Sequence, residues 1–228
     1  MNEQKLCELK SLYDNELKGN IKNNYVPFFV RMTNSYDGKN GVLFVGKAEN
    51  MENKDNVTID EAFCKAQKWI DAEKFIKKPT GKAARSAYNR VVYQITRFLK
   101  NKNINHFART NLYKLANTKT HMFGSKYEEA NFHIFEKEIE LLQPKFVIML
   151  TSGLEEPFME KLGEKHKKHT LEEKFKYKNK GKEHIKKIKC VKFDGLESIF
   201  ITALHPQGKP EEKLVESITD LITATIQP

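Results

Sequence analysis

The chain is poor in cysteine. Its three cysteines, Cys7, Cys64 and Cys190, lie far apart and form no Cys-x-x-Cys pair. That spacing supports neither a zinc ribbon nor a redox dithiol, and the count excludes a four-cysteine iron–sulfur cluster. Reduced thiols in a cytoplasmic protein are the expected state. Long apolar runs are missing as well, and none reaches the roughly 20 residues a helix needs to cross a bilayer. The opening Met1-Asn2-Glu3-Gln4-Lys5 leads into no apolar stretch of the kind a secretory signal carries. Internal repeats are absent, and so is any linker long enough to force a division. A single domain over residues 1–228 is expected.

Positive charge is in excess. The 40 lysines and arginines outweigh 30 acidic residues, for a net charge of +10 and an isoelectric point near 9.3. Such a balance points to a polyanionic partner, nucleic acid first and an anionic membrane surface second. The plainer alternative is a solvated, lysine-rich surface. With 39% hydrophobic and 31% charged residues, the class is globular, with ample material for a core.

Buried strands and amphipathic helices alternate along the chain. Leu6, Leu9, Leu12, Tyr13 and Leu17 mark a helix over 3–18, stopped at Gly19-Asn20. Val42-Leu43-Phe44-Val45 reads as a strand buried on both faces, ended by Gly46. Thr58 followed by Glu61 forms a capping box for a helix through Trp69, whose indole is expected in the core. A helix over 82–100 follows from Ala84, Ala87, Tyr88, Val91, Val92, Ile95, Phe98 and Leu99, with Arg85, Arg90 and Arg97 on its polar side. The second strand closes at Asn111. A helix over 127–142 ends before Pro144. A third strand, Phe146 to Leu150, is closed by Thr151-Ser152-Gly153, and a fourth, Ile199 to Leu204, by His205-Pro206-Gln207-Gly208. A last helix begins after Pro210 and turns Leu214, Ile218, Leu221 and Ile222 inward. This alternation predicts an α/β fold with a mostly parallel sheet.

Residues 154–192 differ in character. Twelve lysines, from Lys161 to Lys189, crowd a stretch with few evident core residues. The segment is expected to be a solvated helix, loop or hairpin inserted between core elements. The functional alternative is a clamp for a phosphate backbone, with Phe175 and Tyr177 as stacking residues. His166 and His169 have i, i+3 spacing but no acidic third ligand, so no metal site is expected.

Three polar motifs close three separate core strands: residues 46–50, Asn111 and His205. In a parallel sheet these ends share one edge, so residues distant in sequence can line one pocket. Glycine at 46 would let the chain turn sharply and a ligand approach. The glycine loop after the first strand, Thr110-Asn111-Leu112-Tyr113-Lys114, the run from Pro144 to Gly153 and the late His-Pro-x-Gly together resemble the uracil-DNA glycosylase superfamily. The resemblance covers roughly residues 41–153 and 196–226.

The resemblance implies a three-layer α/β/α fold with a central, mostly parallel four-stranded sheet. It also implies flipping of a nucleotide into a pocket and hydrolysis of the bond between base and sugar, with DNA as partner. It calls for no cofactor and no metal, and a monomer is favoured. His205 would donate to a carbonyl oxygen of the base, and Asn111 would read the pairing edge. The backbone of Gly46, Lys47, Ala48 and Glu49 would line the pocket, with Gln207 and Gly208 near a phosphate. The departures are specific. Branches of the superfamily position the attacking water with Asp or Asn where Ala48 stands, or with an acid where Lys47 stands. Glu49 or Asn50 is left to take that role, and the usual proline and serine are Glu49 and Gln207. The aromatic that stacks on the base has no firm match; Trp69 and Phe75 are the candidates. Two other readings stand beside this one: a non-catalytic nucleic-acid-binding protein on the same fold, and an unrelated α/β small-ligand enzyme.

Overall fold

Strands whose every side chain must be buried need cover on both faces, and that requirement organises the molecule. The computed structural model describes residues 3–17, 25–33, 36, 38–47, 60, 61, 63, 64, 78–117, 125–179 and 182–226. Its helices are α1 (Glu3–Leu17), α2 (Gly81–Arg85), α3 (Ala87–Lys100), α4 (Ser125–Leu142), α5 (Glu156–Lys165) and α6 (Glu211–Ile226). Its strands are β1 (Tyr25–Pro27), β2 (Arg31–Met32), β3 (Gly41–Gly46), β4 (His106–Asn111), β5 (Leu115–Asn117), β6 (Phe146–Leu150), β7 (Lys168–Asn179), β8 (Lys182–Phe193) and β9 (Ile199–Ala203).

The fold is mixed α/β. Seven strands form one sheet in the order β2-β4-β3-β6-β9-β8-β7, and β1 pairs with β5 in a separate two-stranded ribbon. The four strands β4, β3, β6 and β9 run parallel. Antiparallel strands extend this group on both sides: β2 beside β4, then β8 and β7 beyond β9. The expected sheet of four strands is therefore a sheet of seven.

Side chains alternate along each strand, so β3 feeds two cores. Val42 and Phe44 pack with Val91 and Ile95 of α3 and with Leu214 and Ile218 of α6. Leu43 and Val45 pack with Tyr13 of α1, Phe135 of α4 and Phe158 of α5. All five residues of β6 are fully buried, as a strand central to the sheet must be.

Two sequence expectations change. The helix expected over 82–100 is two helices. Ser86 takes an extended backbone between them, and its Oγ accepts from the Asn89 N–H at 3.3 Å, capping α3. The core-facing positions begin only with Tyr88 of α3; the described residues of α2 are exposed or half-buried. The second change concerns 154–192. The segment is no appendage: α5 packs on the sheet, and β8 pairs with β9 through residues 189–192. Phe175, Tyr177, Ile188 and Cys190 are buried against the α6 side. The proposed stacking residues are thus core residues, with Phe175 only 2% and Tyr177 only 5% exposed. Residues 58, 59 and 69, and with them most of the expected capping-box helix and Trp69, lie outside the described residues.

No helix among the described residues is long and apolar enough to cross a membrane.

Candidate active site at the carboxyl edge of the sheet

Parallel strands deliver their carboxyl ends to one edge. Gly46 at the end of β3 is in register with Asn111 at the end of β4. The His205 loop leaves β9 at the same edge. Its backbone N–H donates to Ser152 Oγ at 2.7 Å, which ties the loop to the turn after β6. Glu155 secures that turn in its own right, accepting from the Thr151 hydroxyl and from the Gly153 N–H at 2.8 Å.

Gly46, Lys47, Asn111, His205, Gln207 and Gly208 all line one cavity of about 590 Å³. The structure thus gathers six of the predicted positions. Ala48, Glu49 and Asn50 lie outside the described residues, as do Trp69 and Phe75.

Gly46 has a role other than the one expected. Its φ is not in the left-handed region, so no sharp turn demands glycine. A Cβ at this position would stand 2.6 Å from Asn111 Oδ1 and 3.5 Å from the Tyr88 ring. The side-chain amide of Asn111 occupies the space that the missing methyl leaves. Asn111 is only 2% exposed and sits in the cavity wall.

Thr110, the residue before Asn111, turns to the other face of the sheet, toward α1 and α4. Thr110, Lys114, Glu138 and Tyr13 form a fully buried polar cluster joining β4, α4 and α1. Lys114 Nζ donates to Glu138 Oε2 and to Thr110 Oγ1, each at 2.6 Å. Thr110 Oγ1 donates to Glu138 Oε1 at 3.1 Å, and the Tyr13 hydroxyl donates to the same oxygen. The Lys114 N–H donates to Asn131 Oδ1 at 2.8 Å. Burial pushes the Lys114 pKa down, against the pull of Glu138.

The cavity is cationic. Lys47, Arg85, Arg90, Arg109 and Lys209 line it. Glu211, the one carboxylate among its described lining residues, is clasped by Arg90 Nε at 2.9 Å and Nη2 at 2.5 Å. Burial and then Lys47 and Lys209 lower the His205 pKa to about 4. The imidazole is neutral at pH 7. The Gln207 N–H donates to His205 Nδ1 at 3.4 Å. Nδ1 is thereby the acceptor, which assigns the proton to Nε2. The site presents a neutral N–H donor within a positive field. Lys47 itself is pushed below the ordinary lysine range by burial and by Lys209.

Eight of the lining residues were not among the predicted site positions, and three of them bear directly on the site. Tyr88 lies nearly parallel to His205, with ring centroids 6.2 Å apart at 22°. Arg109 stacks its guanidinium 4.5 Å from the Tyr88 ring centroid and donates to Asn89 Oδ1 at 3.1 Å. Lys209 follows four residues after His205. Arg109 could have been found, because two-residue alternation puts it on the face that carries Asn111. Nothing in the sequence distinguishes Tyr88 from the other apolar positions of α3.

The histidines of the lysine-rich stretch form no metal site: His169 Nε2 lies 3.0 Å from Asp194 Oδ1, and His184 stacks on Tyr177. No group of three or more potential ligands occurs among the described residues.

Compared with models of known families and with curated proteins, the chain shows no match.

Proposed function

We propose that this protein is a DNA glycosylase of the uracil-DNA glycosylase type, hydrolysing the N-glycosidic bond of uracil or a related damaged base. The observation that carries the reading is the meeting of Asn111 and His205 in one cationic cavity, with the imidazole neutral and its Nε2 proton available. The three-layer α/β/α arrangement belongs to the same proposal, and helices on both faces of the parallel strands support it.

In the reaction, the bond from the sugar carbon to the base nitrogen breaks and the base leaves with the electron pair. Negative charge moves onto a carbonyl oxygen of the base. A hydrogen bond from His205 Nε2–H strengthens as that charge develops, and Lys47 and Lys209 add to the stabilisation. One such donor is typically worth about 10²–10³ in rate. Asn111 offers both an acceptor and a donor to a pairing edge. Tyr88 and Arg109 form the floor against which a flat ring would rest. Water adds to the sugar carbon, its hydroxyl staying there and its proton going to the base or solvent. Glu49 and Asn50 are the candidates for orienting that water.

A second reading is a non-catalytic nucleic-acid-binding protein on the same fold. Lys47 favours it, because a lysine stands where an acid would activate water, and no unpaired carboxylate lines the cavity among the described residues.

The test is incubation with a labelled uracil-containing oligonucleotide followed by hot alkali. Strand scission that falls at least ~100-fold in His205→Ala is the expected result. Binding without scission establishes the second reading instead. Absence of both leaves an unrelated small-ligand enzyme and overturns the proposal.

A further inference from the structure

The positive charge is not spread over the molecule. Between Lys167 and Lys192 the sequence holds eleven lysines and three glutamates, a surplus of eight out of the chain's net ten. Nine of those lysines and all three glutamates fall in one two-stranded ribbon, β7 with β8.

Topology aims the ribbon. β8 runs antiparallel to β9 and is paired to it only through residues 189–192, opposite 202–199. The residues of β8 before Ile188 therefore run on past the carboxyl end of β9, with β7 as their sole strand partner among the described residues. That overhang is six residues, or roughly 20 Å at the rise of a strand. It projects at the edge where Gly46, Asn111 and His205 line their cavity. A direct link joins the two regions: Lys209 of the cavity wall lies 5.8 Å from the ring centroid of Tyr177 in the ribbon.

One face of the overhang is spent on the core through Phe175 and Tyr177. The opposite face is solvated, with Lys176 and Lys187 exposed and Ile185 55% exposed. Lys176 and Lys186 make no ion pair among the described residues. Lys187 is paired with Glu172 at 2.6 Å, an exposed contact that a phosphate can replace. An anionic membrane is the poorer fit. Surface-lying segments carry a continuous face of aromatic and leucine side chains, whereas this ribbon turns Phe175 and Tyr177 inward and exposes two separate apolar side chains among its described residues, Leu171 and Ile185.

We propose that the overhanging β7–β8 ribbon is a docking surface for the phosphate backbone of a nucleic acid, holding the strand across the mouth of the cavity. A two-stranded ribbon is an established shape for gripping nucleic acid. The inference stands on charge and topology and does not depend on base excision.

The test uses the full chain and labelled oligonucleotides of ordinary bases, duplex and single-stranded, with binding followed by fluorescence anisotropy at several salt concentrations. The variant is Lys176→Gln/Lys186→Gln/Lys187→Gln, with the corresponding triple arginine variant as the charge-retaining control. Each lost phosphate contact flattens the plot of log affinity against log salt by about 0.9 on duplex and about 0.7 on single strands. The glutamine variant is expected to lose about 2–3 in slope on duplex, and the arginine variant to keep it. The three side chains are exposed, so thermal unfolding should match wild type. An unchanged slope overturns the proposal. So does a loss confined to phosphatidylserine vesicles, which would assign the ribbon to membranes. His205→Ala should leave the slope intact, so a failure of the ribbon proposal and a failure of base excision are read separately.

Discussion

The buried polar cluster around Glu138 makes a quantitative demand. Lys114 and Glu138 are both fully inaccessible, and their 2.6 Å contact lies in a low-dielectric interior. Removing one partner of such a pair costs about 3–5 kcal/mol, because the other charge stays buried without compensation. The contacts rank the two deletions. Lys114→Met leaves the carboxylate with two donors, the Tyr13 and Thr110 hydroxyls. Its cost belongs near the lower end, about 3 kcal/mol. Glu138→Leu leaves an ammonium with Thr110 Oγ1 as its one acceptor among the described residues and removes the carboxylate to which the Tyr13 hydroxyl donates. Its cost belongs at or above about 5 kcal/mol. The double variant removes both charges and should recover at least about 2 kcal/mol relative to the sum of the singles. Urea unfolding monitored by circular dichroism measures all four corners. With a slope near 2–3 kcal/mol/M, Lys114→Met should lower the midpoint by about 1 M or more. A loss under about 1 kcal/mol for Lys114→Met, or a Glu138→Leu variant more stable than Lys114→Met, would refute the reasoning.

Three further outcomes follow from the site. The His205 imidazole should show no proton-shift inflection near pH 6.5 in an NMR titration, because its lowered pKa keeps it neutral down to about 4. With the folded pKa below the unfolded one, its contribution to stability is complete above about 6.5 and is lost as pH falls toward 4; a full inflection between pH 6 and 7 would contradict this. Gly46→Ala places a methyl 2.6 Å from Asn111 Oδ1, so affinity for a base analogue in the cavity should fall at least ~10-fold, with a stability cost of about 1–3 kcal/mol; undiminished affinity in calorimetry would mean that Asn111 is not held by this contact. Ser86→Ala removes the acceptor for the Asn89 N–H and should cost about 1 kcal/mol in thermal unfolding, with Ser86→Asp retaining the cap; equal stability of the two variants would show that the cap is supplied otherwise.

Much of the frame was legible because burial on both faces leaves a strong mark. Val42 to Val45 and Phe146 to Leu150 are uninterrupted apolar runs, and each is a central strand with neighbours on both sides. The outer strands were hidden for opposite reasons. β2 is two residues long and carries no period. β8 and β7 do carry one: Lys174-Phe175-Lys176-Tyr177-Lys178 alternates with period two, the mark of a half-buried strand. Counting lysines masks that alternation, since a solvated face and a buried face then share one segment. The candidate site was legible in the same uneven way. Asn111 and His205 stand out as polar residues that end apolar strands. Tyr88 does not, because its ring serves the core of α3 and the cavity wall at once.

The wall groups are fixed by different means, and this bears on the chemistry. Asn111 is packed against the bare Cα of Gly46, its register partner on the neighbouring strand. His205 is held by two hydrogen bonds, its backbone N–H donating to Ser152 in the turn after β6 and its Nδ1 accepting from Gln207 of its own loop. Neither arrangement needs a ligand in order to form, so the donors are already placed where charge would develop. The field they sit in is set by Lys47 and Lys209, the two cations that lower the His205 pKa. A positive cavity of this kind lowers the energy of a departing anion. It works against the other requirement, a carboxylate able to draw a proton from water, and the carboxylate present is tied to Arg90. On the proposed reading the described half of the site serves the leaving group, and activation of water is assigned to Glu49 or Asn50, which lie outside the described residues. Deleting the acid in Glu49→Gln should slow excision while leaving base affinity in the cavity unchanged, whereas His205→Ala should weaken both; equal loss of affinity in the two variants would show that leaving-group and water functions are not divided in this way.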